Sequence, residues 1–376
     1  MDFEPSEEQA MLRDVSRATL RDHSGPERTR VLLDADEDVD ARLWKLGADL
    51  GWVGLAIPEE YDGAGQGLTE LTLVAEELGR AVARGPFLTS ALVALAVARG
   101  GSAELRAEVL PALAAGSARA TWAFAEPAGQ WSPRHLLTTA TVRGEEFVLR
   151  GTKSAVQDAA SARWLLVTAL LDGVAANFLV DRHAIGVTVR RQRSLDLTRN
   201  LYAVSLDEVR VPVGRRLDGG PAAVSGLRDA GAVLTAADAL GACEWLLKAT
   251  VEYAGVRVQF GRAIGSFQAI KHKAADMRMA VQGMRASVHY AAKAADAGSP
   301  DASQAASTAK AFACEESSRL AGEALQIHGG IGFTWEHDMH LYLRRVKADE
   351  VLYGNAAEHY ERVCRLLLDT RHPVVR

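Results

Sequence analysis

Trp164-Leu165-Leu166-Val167, then Phe178-Leu179-Val180, Val187-Thr188-Val189 and the partly alternating Leu201-Tyr202-Ala203-Val204-Ser205-Leu206, form the stretch whose reading decides the fold. Short β-branched and aromatic runs bounded by glycine read as strands. Phe147-Val148-Leu149, with Gly144, Gly151, Gly173 and Gly186 as punctuation, extends the pattern, so residues from about Thr121 to Pro212 read as a small antiparallel sheet. On either side the period changes to helical. Upstream, Ser6-Glu7-Glu8-Gln9 has the form of a capping box ahead of Met11, Leu12, Val15 and Ala18. Further patterns run from Val39 to Leu50, Leu68 to Leu78 and Leu88 to Val97, with Ile57 to Gly67 as a broken connector. Downstream, helices are expected over Ala222 to Gly255, Phe267 to Ala297, Ala302 to Ile327 and about Ala356 to Leu368; Gly298-Ser299-Pro300-Asp301 makes a tight turn. The order is helices, sheet, helices, with no βαβ alternation. The chain reads as α+β with boundaries at 1–118, 119–213 and 214–376.

The 376 residues carry 43 Lys plus Arg against 48 Asp plus Glu, a net charge of −5, and no clustered basic run, which excludes a nucleic-acid binder. Three scattered cysteines, Cys243, Cys314 and Cys364, form neither a disulfide framework nor a thiolate metal site and fit a reducing cytoplasm. The acidic start lacks a signal-peptide pattern, and the apolar run from Phe87 to Ala98 is shorter than the ~20 residues that span a bilayer. No phosphate-loop or dinucleotide fingerprint occurs, since Gly63-x-Gly65-x-Gly67 follows no strand. His337 and His340 beside Glu336 lack a third ligand and read as an exposed polar helix, not a metal pair.

Two segments stand out. In Arg257-Val258-Gln259-Phe260-Gly261-Arg262-Ala263-Ile264-Gly265-Ser266-Phe267-Gln268, one helix ends and another begins, leaving Arg257 and Gln268 beside the turn. An arginine there can grip a pyrophosphate with two prongs; alternatively this is an ordinary helical hairpin with surface polar residues. In Gln326-Ile327-His328-Gly329-Gly330-Ile331-Gly332-Phe333, three glycines in four positions either bring backbone close to a bulky group or form a flexible C-cap.

Taken in order, these segments resemble the acyl-CoA dehydrogenase family. Gly51-Trp52-Val53-Gly54-Leu55-Ala56-Ile57-Pro58-Glu59-Glu60-Tyr61, Ala123-Phe124-Ala125-Glu126-Pro127 and Gly151-Thr152-Lys153 carry the resemblance across nearly the whole chain. The chain looks most like an actinobacterial branch with heteromeric α2β2 members that act on bulky or sterol side-chain acyl-CoA esters. The resemblance implies an N-terminal helical domain, a middle β-barrel and a C-terminal four-helix bundle. It also implies α,β-dehydrogenation of an acyl-CoA thioester with FAD shared across a subunit interface, and an electron-transfer flavoprotein as acceptor. The neighbour's contribution to FAD is present: Arg257, Gln259, Phe260, Gln268, Gln326, Gly329 and Gly330.

The receiving half is eroded. Ala125 stands in the family's threonine position, Ala128-Gly129-Gln130-Trp131 replaces its Gly-Ser-Asp loop, and Ser154-Ala155-Val156-Gln157 lacks the ring-contacting aromatic and hydroxyl. The two places that hold a glutamate base in the family hold Tyr353 and Gly231; Asp229, Asp349, Glu350 and Glu358 are candidate substitutes. Three readings stay open: a subunit completing the FAD site of a homologous catalytic partner, a self-sufficient homo-oligomer with a relocated carboxylate, and a non-enzymatic assembly subunit.

Overall fold

The capping box forms at Ser6. The Gln9 N–H donates to Ser6 Oγ at 3.2 Å and the Ser6 N–H donates to Gln9 Oε1 at 3.0 Å. The computed structural model describes residues 5–127 and 131–371, with side chains described to 368, so Ala128, Gly129 and Gln130 lie outside it. The N-terminal helices are α1 (Glu7–His23), α2 (Pro26–Asp34), α3 (Ala41–Asp49), α4 (Leu68–Arg80), α5 (Phe87–Gly100) and α6 (Ala103–Ala114). The periodicity did not anticipate α2 and α6: one has nine mostly polar residues, the other carries Pro111 inside it.

Seven strands follow: β1 (Ala120–Ala123), β2 (Thr139–Arg143), β3 (Glu146–Gln157), β4 (Trp164–Leu171), β5 (Val174–Asp181), β6 (Val187–Gln192) and β7 (Leu201–Pro212). They form one sheet in the order β1-β4-β2-β3-β7-β6, with β5 also paired to β4. The expected antiparallel pairing holds for β2–β3, β3–β7, β4–β5 and β6–β7, but β1 and β2 each run parallel to β4. The long excursion between β1 and β4 allows that direction. An isolated bridge from Phe178 to Arg216, just past β7, curls the sheet on itself. Trp164 and Leu166 pack into the core shared with the helices, while Leu165 and Val167 join Phe147, Phe178 and Val204 on the other face. A strand buried on both faces has no polar alternation, which explains its unbroken apolar run.

The C-terminal part comprises α7 (Gly220–Val256), a two-stranded hairpin of β8 (Val258–Gln259) and β9 (Arg262–Ala263), α8 (Gln268–Asp296), α9 (Ala302–His328), α10 (Met339–Val351) and α11 (Ala356–Arg371). The most apolar stretch of α7 is 89% buried, so this long apolar helix is a core element. α4 and α7 cross at reciprocal glycines: a Cβ on Gly79 would collide with the Asp238 carbonyl, and one on Gly241 with that of Glu76.

A buried charge cluster joins all three layers. Arg345 on α10 grips Asp238 on α7 through Nε at 2.8 Å and Nη2 at 2.7 Å. Its Nη1 donates to Thr198 Oγ1 at 2.7 Å and to the Ala83 carbonyl at 3.3 Å. Arg199 donates to Asp238 at 3.0 Å and lies 3.4 Å from Asp196 and 2.5 Å from Asp349. Burial pushes Asp238 upward, but Arg345 and Arg199 outweigh it and hold its carboxyl at about 2. For Asp349, burial prevails and raises the carboxyl far above its ordinary range. The cluster thus sets two guanidinium groups, Arg345 and Arg199, against Asp238, Asp196 and an Asp349 whose charged form burial disfavours. Asp158, after β3, is raised to about 7 by burial despite Arg84 and Arg199 nearby.

Replacing Arg345 by methionine leaves Asp238 buried with a single partner, and is expected to cost about 3–5 kcal/mol in chemical denaturation. Asp158 titrates with the opposite sense to a paired carboxylate. Because its folded pKa lies above the unfolded value, its stabilisation is fullest in acid and lost as pH rises through about 7. Asp158→Asn should therefore gain about 2–3 kcal/mol on the native chain between pH 5 and pH 8, read from paired denaturation curves.

Candidate functional site

At the end of α7 the chain makes a tight hairpin. Gln259 pairs with Arg262, and the two residues between them, Phe260 and Gly261, have φ of +52° and +77°. Two successive positive φ values are those of a type I′ turn, which favours Asn-Gly or Gly-Gly. Phenylalanine in that conformation is strained, yet the residue is 92% exposed and buries almost nothing. A strained, solvated aromatic at a hairpin tip is what a presented binding group looks like.

The second glycine segment lies at the same end of the molecule. Tyr253, one turn before Arg257, stacks on His328 with ring centroids 4.4 Å apart and donates to its carbonyl at 3.4 Å. Lys273 on α8 pairs with Glu323 on α9. The fold thus gathers Arg257, Gln259, Phe260 and Gln268 from the hairpin side and Gln326, Gly329 and Gly330 from the end of α9 onto one surface. All are exposed except Gly329, which is half-buried. Gly329 turns the chain at φ +63°, and a Cβ on Gly329 or Gly330 would meet nothing within 4 Å, so their backbone faces open space. Val256, Val258, Ile331, Phe333 and Trp335 are also exposed in these segments.

The other half of the expected site is filled. Tyr353 follows α10 at φ +60° and is buried. Its ring lies 4.6 Å from that of Trp131 and 6.1 Å from that of Trp122, stacked on the latter at 21°; Phe124 stacks on Trp131 at 5.8 Å. Trp122 is anchored by its Nε1 donating to Thr168 Oγ1 at 2.8 Å. A Cβ on Gly231 would come within 2.7 Å of the Tyr353 ring, so only glycine leaves room for it. The two positions at which the resemblance places a base thus form one complementary contact. Between α5, α7 and β3 remains a cavity of about 30 Å³, lined by Gln157, Asp158, Arg199, Gly231, Arg345 and Tyr353 among others. The Trp131 and Tyr353 rings also form a wall of a second, polar pocket of about 370 Å³, lined by Arg134, Arg228, Glu358, His359 and Arg365. Burial raises the Tyr353 phenol further above its ordinary range, and Gln157 Nε2 donates to its oxygen at 3.2 Å. It is a neutral phenol at physiological pH.

The four substitute acids have other partners. Asp229 is clamped by Arg362 and accepts from Ser303 at 2.7 Å. Asp349 belongs to the charge cluster. Glu350 holds Ser318 at 2.7 Å and Lys347 at 2.9 Å. Glu358 accepts the Asn355 N–H at 3.0 Å at the start of α11. The carboxylate facing the small cavity is Asp158, which sequence pattern does not single out; its place after Gln157 on β3 is the available signal. Glu126 is also structural: it accepts from Lys153 at 2.8 Å and from the Leu137 and Thr138 N–H groups at 2.7 and 2.9 Å, while burial takes Lys153 down to about 8. Of the two histidines, His337 lies against the His328 ring before α10 begins, whereas His340 stacks on Trp335.

Comparison with known proteins identifies the family. Family models described as acyl-CoA dehydrogenase N-terminal and C-terminal domains match residues 6–117 and 218–368. Acyl-CoA dehydrogenase IpdE2 of Mycobacterium tuberculosis is 34% identical over 364 residues, covering 96% of this chain and 97% of that protein. The ChsE4-ChsE5 complex from the same organism superposes with a TM-score of 0.92 at 31% identity, covering 98% of this chain and 99% of the solved one. The Tcur3481-Tcur3483 steroid ACAD gives 0.90 at 33%, covering 97% and 99%. With both terminal parts matched and relatives aligned end to end, this chain belongs to the acyl-CoA dehydrogenase family.

Proposed function

We propose that this chain is the non-catalytic subunit of a heteromeric acyl-CoA dehydrogenase, lending its hairpin and glycine turn to the FAD of a homologous, glutamate-bearing partner. The observation that carries this reading is the occlusion by Tyr353. A tricyclic flavin ring with a thioester beside it needs a pocket of several hundred cubic ångströms, and about 30 Å³ holds roughly one water. The chain's residues fit the diphosphate and adenosine portion of FAD, for which arginine, glutamine and open glycine backbone are suitable donors. They do not fit the isoalloxazine.

In the assembly, FAD supplies the hydride acceptor for α,β-dehydrogenation of an acyl-CoA thioester. The work of this chain is to neutralise and orient: Arg257 offers a forked cation, Gln259, Gln268 and Gln326 offer amides, and Gly329 and Gly330 offer backbone. The exposed apolar residues around them are the complementary surface for the partner. The neighbours above, one a complex of two proteins and one a steroid ACAD, support a heteromer acting on bulky, steroid-type acyl-CoA esters; an α2β2 stoichiometry and an electron-transfer flavoprotein as acceptor complete the proposal. The three unpaired cysteines fit a cytoplasmic setting. A second reading makes Asp158 the base of a self-sufficient enzyme, because a carboxyl at about 7 is well poised for proton transfer. The small volume of the cavity that Asp158 faces argues against it.

Co-expression with a homologue carrying a glutamate at either base position should yield a yellow complex with one FAD for every two chains. Full FAD occupancy of this chain purified alone overturns the proposal and favours the Asp158 reading. Phe260→Asn relieves the positive φ and is expected to stabilise the isolated chain by about 0.5–1 kcal/mol while weakening FAD retention in the complex, measured by melting and flavin release.

A further inference from the structure

We propose that Arg262 is a second arginine in this grip, binding the dinucleotide diphosphate beside Arg257; the proposal rests on the reading that the hairpin end serves a partner's FAD. A diphosphate diester carries two negative charges at neutral pH, and Arg257 balances one. The hairpin register supplies the other cation. Gln259 and Arg262 are directly opposed in the antiparallel ladder, so their side chains share a face. Arg257 lies two residues before Gln259, on that same face by strand alternation, and its carbonyl accepts the Ile264 N–H at 2.8 Å, continuing the ladder.

Three further observations concern the charge itself. From Glu252 to Asp276 the sequence contains Arg257, Arg262, Lys271 and Lys273 with no carboxylate between them. Lys273 is paired with Glu323, but among the described residues the Arg262 guanidinium makes no ion pair and donates no hydrogen bond. It is nonetheless held in place: its central carbon lies 4.1 Å from the centroid of the Phe267 ring, which meets Phe260 edge-on at 6.1 Å and 89°. Binding through its face immobilises a guanidinium while leaving its N–H edge for an anion, so little ordering entropy remains to be lost. Phe267 is also the N-cap of the 29-residue α8 and caps it with no side-chain bond, so uncapped N–H groups and the positive end of the helix dipole add to the same field. The strained Phe260 acquires a second role here, as a wall of the arginine's aromatic seat.

The test uses the FAD-loaded complex with a glutamate-bearing homologous subunit and follows flavin fluorescence on release across a salt series. Arg262→Gln should weaken FAD binding about tenfold or more and flatten its salt dependence, because one screened charge contact is gone. Arg262→Lys should recover part of the affinity, as a point charge without the planar stack. Melting of the isolated chain should move only slightly, by the loss of one exposed cation–π contact, which separates a ligand contact from a structural one. If Arg262→Gln keeps wild-type affinity and salt dependence while Arg257→Gln loses FAD, the inference about Arg262 is wrong and the donated grip stands. If neither substitution changes FAD release, the grip itself is wrong, and Arg262 falls with it.

Discussion

The bidentate contact of Arg345 with Asp238 is the constraint on which the arrangement depends. One guanidinium ties α10 to α7, reaches the Ala83 carbonyl after α4 and takes Thr198 from the loop before β7. Helical, sheet and bundle layers are thereby fixed at one buried point. In such a place an ion pair is justified only when every donor and acceptor is matched, and an unmatched member is costly. At Asp349, burial beside Asp238 disfavours the charged form and raises the carboxyl above its ordinary range.

Because Arg345 fixes α10, it also sets the path of the chain beyond that helix. The backbone leaves α10 at Leu352 and enters Tyr353 in a left-handed conformation that directs the ring into the cluster of Trp122 and Trp131. Gly231 is the other half of that contact, since any side chain there would strike the ring. A large residue at one base position and none at the other are thus a single packing event. What reads in sequence as two separate losses is one filled volume.

The opposite end of the bundle is built on the contrary principle. Inside, strain at Tyr353 accompanies burial of a ring; at the hairpin, strain at Phe260 accompanies exposure of one. Local strain without local packing points outward, to a group the isolated chain does not contain. A filled interior around Tyr353 and an open, cationic, aromatic end are the two features on which the proposed division of labour between chains rests.

Sequence alone determined the order of layers, the capping box, the long helices α7, α8 and α9, and the two segments that form the open end, because period, glycine placement and charge are local properties. The family resemblance added the expectation that Tyr353 and Gly231 stand where a base would be. Tertiary structure decided the rest. α10 escaped notice because its arginine and aspartate residues look solvated until Asp238 and Arg199 are brought to them, and β1 and β2 run parallel to β4 for reasons that lie in chain path and not in composition. That Tyr353 and Gly231 touch, that Asp158 faces the small cavity, and that Asp229 and Asp349 are held by Arg362 and Arg199 all depend on which helices meet, a long-range matter that no local pattern encodes.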